Sequence, residues 1–364
     1  MPTSARVAVV PQEPGPLTVM ELRLPDPGPH QVVVKQFSSG ICHSQLHQIH
    51  EKRTAPVLLG HESTGVVTAK GSEVTHVKEG DHVMVTWVPR NKEQNRRVAQ
   101  IATLALPGGT VAVSQNVFTW ADWTIADEQF VVRISKDAPT GTTAIIGCAV
   151  MTGAGAVLYT AGVKKGESVA IFGVGGVGLS AIAAAKVVGA NPIIAVDLDD
   201  AKLAFAKKFG ATHALNASKE DAVKAIRKMT TRPECFDFIN RPVSGVDYAF
   251  DCIGRKVTME QILPVVRTGS FGEADGGTAV LVGIPQTKVE LNAMDIVVNE
   301  KKYIGSMGGS CRPDRDFPMF LDWHRTGKLD LDALVTERFK LDQVNDAIAA
   351  LEGGRVFGRA IFEY

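Results

Sequence analysis

The sequence predicts an α/β protein in two parts: a barrel-like unit of short strands, then a doubly wound parallel sheet. Three observations carry this. Up to about position 135, β-branched runs such as 6–10, 31–37, 65–70 and 82–87 are separated by Gly and Pro. After Pro139, short apolar strands alternate with helical stretches, the signature of parallel strands joined by crossover helices. At 364 residues, the chain is also longer than one hydrophobic core usually organises. The expected domains are 1–148, 149–306, and a tail over 307–364 that returns to the first.

The elements follow in order. Residues 89–109 include a basic, irregular run, NKEQNRRVAQ, which reads as an exposed excursion. Residues 144–162 read as helix and 168–172 (SVAIF) as a short strand. An Ala-rich helix over 178–189 ends at glycine, and 192–197 is a second strand. Residues 201–209 are helical, with Gly210 as C-cap, and a third strand lies at 213–215. Strands at 246–252 and 278–282 continue the alternation. From about Ser306 the pattern stops; 317–326 and 341–351 read as helices and 356–362 as a closing strand.

Lys plus Arg and Asp plus Glu both total 39, so no net field favours nucleic acid or an anionic membrane. The N-terminus lacks a signal-peptide pattern, and the apolar stretch near 145–163 is broken by Gly147, Gly153, Gly155 and Gly162. A cytoplasmic protein with no membrane partner is expected. The five cysteines are odd in number and form no close pairs, which argues against a disulfide framework.

Gly173, Val174, Gly175, Gly176, Val177 and Gly178 spell G-x-G-x-x-G between a strand and a helix. Gly173 allows the tight turn, Gly175 lets backbone approach a pyrophosphate, and Gly178 lets helix pack closely on strand. The helix N-terminus then faces the phosphates. Asp197 ends the next apolar strand, where a carboxylate accepts from the adenosine ribose hydroxyls and repels a 2′-phosphate. NAD is therefore expected over NADP. The competing role for Asp197 is capping the helix that follows; Lys202 touches the ribose or stays in solvent.

Cys42, His61 and Cys148 offer two thiolates and an imidazole, a set suited to zinc with a fourth position open for substrate. On spacing alone, each taken singly reads better as a buried hydrophobe or a core histidine, because no CxxC pair is present. The surrounding motifs extend the reading: GICHS, GHE, GDHV, GC before a helix, GVGGVG, VDLDDAKLAFAKKFGATHALN and GRAIF. Together they resemble the zinc-dependent alcohol dehydrogenases of the medium-chain dehydrogenase/reductase superfamily. GSMGGSCRPDRDFP and GKLDLDALVT resemble its class III-like and aryl- or NDMA-linked branch.

The resemblance implies a GroES-like β-barrel catalytic domain split around a Rossmann coenzyme domain. It implies hydride transfer between an alcohol and NAD, or aldehyde and ketone reduction in reverse, by a homodimer or homotetramer. Cys42, His61 and Cys148 would ligate one catalytic zinc, with Glu62 as a neighbouring carboxylate and Ser44 and His47 as a proton relay. His43, Thr152, Val282, Ile284 and Arg359 would contact coenzyme, and Trp87 would wall the substrate pocket.

The chain departs from the family at two places. Residues 88–109 contain no cysteine, so no structural zinc is expected. Gln45 stands where the family carries an Asp that orients the ligating histidine and pairs with the arginine matched by Arg359; such losses cost roughly 10–100-fold in metal affinity or activity. Ser114, Gln115 and Ser306 fall near pocket positions and suggest a polar substrate. Two other readings stand beside this one: a zinc-poor or zinc-free reductase of the same superfamily, and a non-catalytic NAD-binding protein. The ligand triad and Asp197 weigh against the first, the intact Ser44 and His47 against the second.

Overall fold

The computed structural model describes residues 4–91, 97–270 and 275–364. Half of the basic run expected as an excursion, residues 92–96, lies outside them. Two compact units emerge: residues 1–149 with 312–364, and residues 150–311.

The first unit is all-β at its centre. One sheet runs Thr18–Arg23, Ser4–Val10, Val57–Leu58, Val111–Val113, Thr103–Ala105. The other runs Val131–Arg133, His82–Thr86, Glu62–Lys70, Gln31–Ile41, Arg359–Glu363, Val335–Phe339, with Trp123–Asp127 also paired on Gln31–Ile41. Gln31–Ile41 is shared between partners: its first half meets Trp123–Asp127 and its second half the C-terminal strand, with Ile41 opposite Ala360. The chain's last strand therefore seats beside the residues that lead into Cys42. Val32, Val34, Val67, Val83, Val85 and Val131 form a core on one face, an expected use of β-branched residues on a pleated, buried surface. Trp120 packs edge-on against Phe362, centroids 5.5 Å apart, and its indole donates to Gly40 O at 3.2 Å.

The second unit is a six-stranded parallel sheet: His213–Asn216, Ile193–Asp197, Val169–Phe172, Tyr248–Asp251, Thr278–Leu281, Lys302–Gly305. Numbered within the sheet, the order is 3-2-1-4-5-6, the doubly wound arrangement whose switch point lies between Val169–Phe172 and Tyr248–Asp251. Helices Gly176–Val188, Asp200–Phe209, Ala222–Met229 and Lys256–Val265 supply the crossovers. The strand interiors read as continuous apolar runs because both sheet faces are covered.

Several expectations shift. The helix expected over 144–162 is three pieces: a 3₁₀ segment Thr142–Gly147, an α-helix Ala149–Gly155 and a π-helical turn Ala156–Ala161. The alternation runs one strand further than expected, through Lys302–Gly305, and the second compact unit extends to Cys311. A hairpin, Arg232–Phe236 with Pro242–Val243, and the strand Val335–Phe339 were not anticipated. Among the described residues no helix is long and apolar enough to cross a membrane.

Candidate metal centre and dinucleotide loop

The metal centre grows from one end of four adjacent strands. Register sets Ser63 beside Ser39 and Thr86 beside Glu62, so the chain reaches Cys42, His61, Trp87 and Arg359 at the same level. Cys148 comes from the segment after Thr142–Gly147, fixed by the Thr86 hydroxyl donating to Gly147 O at 2.7 Å. Gly40 is required here, since a Cβ would lie 2.2 Å from Glu62 Oε1.

Cys42 Sγ and Cys148 Sγ are 3.8 Å apart, and His61 Nε2 is 3.3 Å from Cys148 Sγ. All three donor atoms lie within 4.8 Å of one another. Tetrahedral zinc with ordinary bond lengths separates two sulfurs by about 3.8 Å and sulfur from nitrogen by about 3.6 Å, so the triangle already has the size of a zinc-binding face. Both cysteines are buried and His61 is half-buried, which leaves the triangle a closed side and a more open one. The hydrogen bond from Cys148, together with Arg359 and His61, holds the Cys42 thiol well below its ordinary range, while the same bond and burial push Cys148 up. A thiolate is the form that ligates metal.

Behind the triangle, Arg359 donates through Nε to Glu62 Oε1 at 3.0 Å and also through Nη2. Glu62 Oε2 accepts from the Ala149 amide at 3.4 Å. Burial raises the Glu62 carboxyl and Arg359 pulls it back. The pairing expected between Arg359 and residue 45 is therefore replaced by one with Glu62, and the guanidinium expected at the coenzyme is buried against this carboxylate. Gln45, 1% exposed, accepts from the Cys42 amide at 3.2 Å, and its Nε2 has no partner among the described residues. Among the described residues Gln45 bonds Cys42 and not His61.

Ser44 opens the helix Ser44–His50, and its hydroxyl donates to Cys42 Sγ at 3.1 Å. His47 sits three positions on, on the same helical face. His43 is the exposed N-cap, its ring 6.3 Å from that of His47. Trp87 packs edge-on against His61, centroids 6.4 Å apart. Ser114 is not pocket-lining: it is 7% exposed and its hydroxyl donates to Ala102 O. Gln115 is exposed beside it. A feature the sequence reading missed is Arg97, which grips the fully buried Asp127 carboxylate through two nitrogens at 2.7 and 2.8 Å. It ties down the cysteine-free segment. Arg97, following Arg96 in a polar run, gave no sign of a partner 30 positions away.

In the second unit the glycine loop joins Val169–Phe172 to Gly176–Val188, with Gly175 as N-cap. Gly178 has no alternative, because a Cβ would lie 1.9 Å from Gly173 O. At Gly175 a Cβ would meet nothing within 4 Å, so the protein's own packing leaves that space free, as a phosphate cradle requires. Asp197 accepts from the Val174 amide at 3.0 Å and the Leu198 amide at 2.7 Å. Helix capping falls instead to Asp199, which accepts from Ala201 and Lys202. Asp197 is thus free of the capping role and sits against the loop itself. Val282 is buried and Ile284 48% exposed after the strand Thr278–Leu281; Thr152 is half-buried on Ala149–Gly155. Ser306 bonds the Thr160 hydroxyl at 2.7 Å.

Comparison with known proteins agrees with this construction. Residues 28–136 match the alcohol dehydrogenase GroES-like domain, and residues 176–325 the zinc-binding dehydrogenase family. The chain is 32% identical to the class-3 alcohol dehydrogenase of Cereibacter sphaeroides, covering 96% of this chain and 97% of the relative. It is 32% identical to the S-(hydroxymethyl)glutathione dehydrogenase of Paracoccus denitrificans, with the same coverage. Among solved structures, an alcohol dehydrogenase zinc-binding domain protein from Burkholderia ambifaria superimposes with a TM-score of 0.87 at 29% identity, covering 100% of this chain and 99% of the other. Benzyl alcohol dehydrogenase from Acinetobacter calcoaceticus gives 0.83 at 27%, covering 99% of each. The chain belongs to the zinc-dependent alcohol dehydrogenases of the medium-chain dehydrogenase/reductase superfamily.

Proposed function

We propose that the protein oxidises an alcohol with NAD, and reduces the matching aldehyde or ketone in reverse, with one catalytic zinc per subunit and no structural zinc. The single observation behind this reading is the zinc-sized triangle of Cys42, His61 and Cys148 with the Ser44 hydroxyl against it. Zinc held there supplies a Lewis acid for the substrate oxygen, and NAD the hydride acceptor. Ser44 accepts the substrate's hydroxyl proton in a hydrogen bond, and His47, on the same helical face, carries it onward. Glu62, neutralised by Arg359, keeps the rear of the triangle dry and electrically balanced.

For the coenzyme, Gly173, Gly175, Gly176, Val177 and Gly178 would hold the pyrophosphate, with Asp197 on the adenosine ribose. Lys202, Thr152, Val282 and Ile284 are further contacts, as is His43. The carboxylate of Asp197 favours NAD over NADP. A homodimer or homotetramer is supported by Lys302–Gly305, an outer strand of its sheet, beside Met294 and Val297, which are 67% and 73% exposed. A cytoplasmic setting suits thiols kept reduced for metal.

The test is direct. Protein purified without added metal is analysed for zinc, and NADH formation is followed over a panel of alcohols. One zinc per chain, activity with NAD and its loss on replacing Cys42 or Cys148 by Ser are expected. Zinc-free protein active on alcohols would remove the reading.

A further inference from the structure

We propose that Asp251 is a positioning residue for the coenzyme: its two carboxylate oxygens fix the turn that follows it, and that turn braces the loops on either side. The inference rests on the coenzyme site proposed above and deepens it, by assigning the residue that shapes the crevice before a ligand arrives.

Asp251 ends the strand Tyr248–Asp251, at the switch point of the second unit's sheet. Doubly wound sheets bind ligands there, in the crevice outside the carboxyl ends of the strands. The side chain is 0% exposed, and no cation pairs with it among the described residues. Burying such a charge is costly. Burial pushes the carboxyl above its ordinary value, against the pull of the Gly254 and Ile253 amides. Oδ1 accepts from the Ile253 amide at 3.2 Å and Oδ2 from the Gly254 amide at 2.9 Å. An ionised carboxylate offers two acceptor oxygens, whereas Asn or Ser offers one. What the charged side chain adds is a grip on two successive amides.

The turn so held touches both neighbours. Ile253 Cγ1 lies 2.3 Å from where a Cβ on Gly173 would stand, so it fills the space beside the first glycine of the dinucleotide loop. At Gly254, with φ +84°, a Cβ would lie 2.3 Å from Ile284 O. The Asp251 carbonyl accepts from the Val282 and Gly283 amides at 3.0 and 2.8 Å. One residue therefore ties together the segments that follow Val169–Phe172, Tyr248–Asp251 and Thr278–Leu281. Ile253 and Ile284 are nevertheless 40% and 48% exposed, so these segments border open space. A loop already held in its binding shape spares a ligand the cost of ordering it.

The experiment compares zinc-loaded wild type with Asp251→Asn, which keeps the shape of the side chain and gives up the charge and one acceptor. NADH affinity is read by fluorescence titration, the unfolding midpoint without coenzyme by circular dichroism, and rates by NADH formation from an alcohol. Asp251→Asn is expected to bind NADH about tenfold more weakly, the size of one lost charge-assisted hydrogen bond. It should raise KM for NAD without lowering kcat. Zinc content, a property of the first unit, is expected to stay the same. Asp251→Ser serves should Asp251→Asn fail to fold. Unchanged NADH affinity in a folded variant, whatever its unfolding midpoint, overturns the inference while leaving the dehydrogenase reading intact. So does a fall in kcat as large as the fall in affinity, or failure of both variants to fold, since Asp251 would then support the fold at large. Absence of both NADH binding and alcohol oxidation in zinc-loaded wild type overturns the dehydrogenase reading instead.

Discussion

Arg359 and Glu62, 297 positions apart in the chain, form an ion pair sealed behind Cys42, with Nε 3.0 Å from Oε1 and side chains 6% and 0% exposed. The pairing depends on the C-terminal strand seating against Gln31–Ile41 and on Gly40 having no side chain to meet the carboxylate. The tail thus completes the rear wall of the metal centre as well as the sheet.

Breaking this pair from one side strands a charge in the interior. Arg359→Met is expected to destabilise the protein by about 3–5 kcal/mol. The double variant Arg359→Met, Glu62→Leu should recover a large part of that loss, because no lone charge remains. Urea unfolding of the two single variants and the double closes the cycle. Additive losses would show that the two side chains are not coupled.

Gln45 makes a second prediction, about metal retention. Its amide oxygen serves the Cys42 backbone, its nitrogen has no partner among the described residues, and the ligand layer lacks a carboxylate at this position. Gln45→Asp is expected to slow zinc loss to a chelator by about tenfold or more, within the usual range for groups that support metal ligands. Zinc release followed with a metallochromic dye measures it. Equal or faster loss from Gln45→Asp would mean that Gln45 is not what limits retention.

How much of this was legible in the sequence depends on how local each feature is. The glycine loop, Asp197 and the strand–helix alternation were readable because a few adjacent residues determine them. The strand Lys302–Gly305 escaped because KYIG is short and begins with a lysine, as an edge strand can. The hairpin Arg232–Phe236 with Pro242–Val243 escaped because its prolines look like loop. Asp127 with Arg97, and Glu62 with Arg359, depend on strand register across the fold. No neighbouring residue announces them. The misplacement of Ser114 has the same origin: its hydroxyl is consumed by Ala102 within a small hairpin whose register was not predictable.

Asp197 offers the coenzyme prediction. It is tied to the glycine loop through the Val174 amide, and Ser keeps a short acceptor there while removing the carboxylate. Asp197→Ser should lower kcat/KM for NAD by about 10–100-fold, the cost of charged hydrogen bonds, and raise that for NADP. Initial rates with both coenzymes check it. Unchanged discrimination would place the ribose elsewhere.

The last prediction concerns acid stability of the second unit. Burial pushes the Asp247 carboxyl up, but the Ser168 amide and hydroxyl, Arg267 and Arg232 outweigh it and hold it at about 2. The Ser168 bonds are 2.8 and 2.7 Å and that from Arg267 Nε is 2.7 Å. A carboxyl held below its ordinary value of 3.8 takes up protons more readily when unfolded. Its contribution is therefore complete above that ordinary value and drains away as pH falls towards 2. The size is about 2 kcal/mol from the shift alone. Asp247→Asn should be less stable than wild type by about that amount at neutral pH, and the gap should narrow only in strongly acid solution, below the ordinary carboxylate range. Urea unfolding by far-UV circular dichroism across that range reads the gap directly. A gap that widens on acidification would show that Asp247 is not held ionised by these partners.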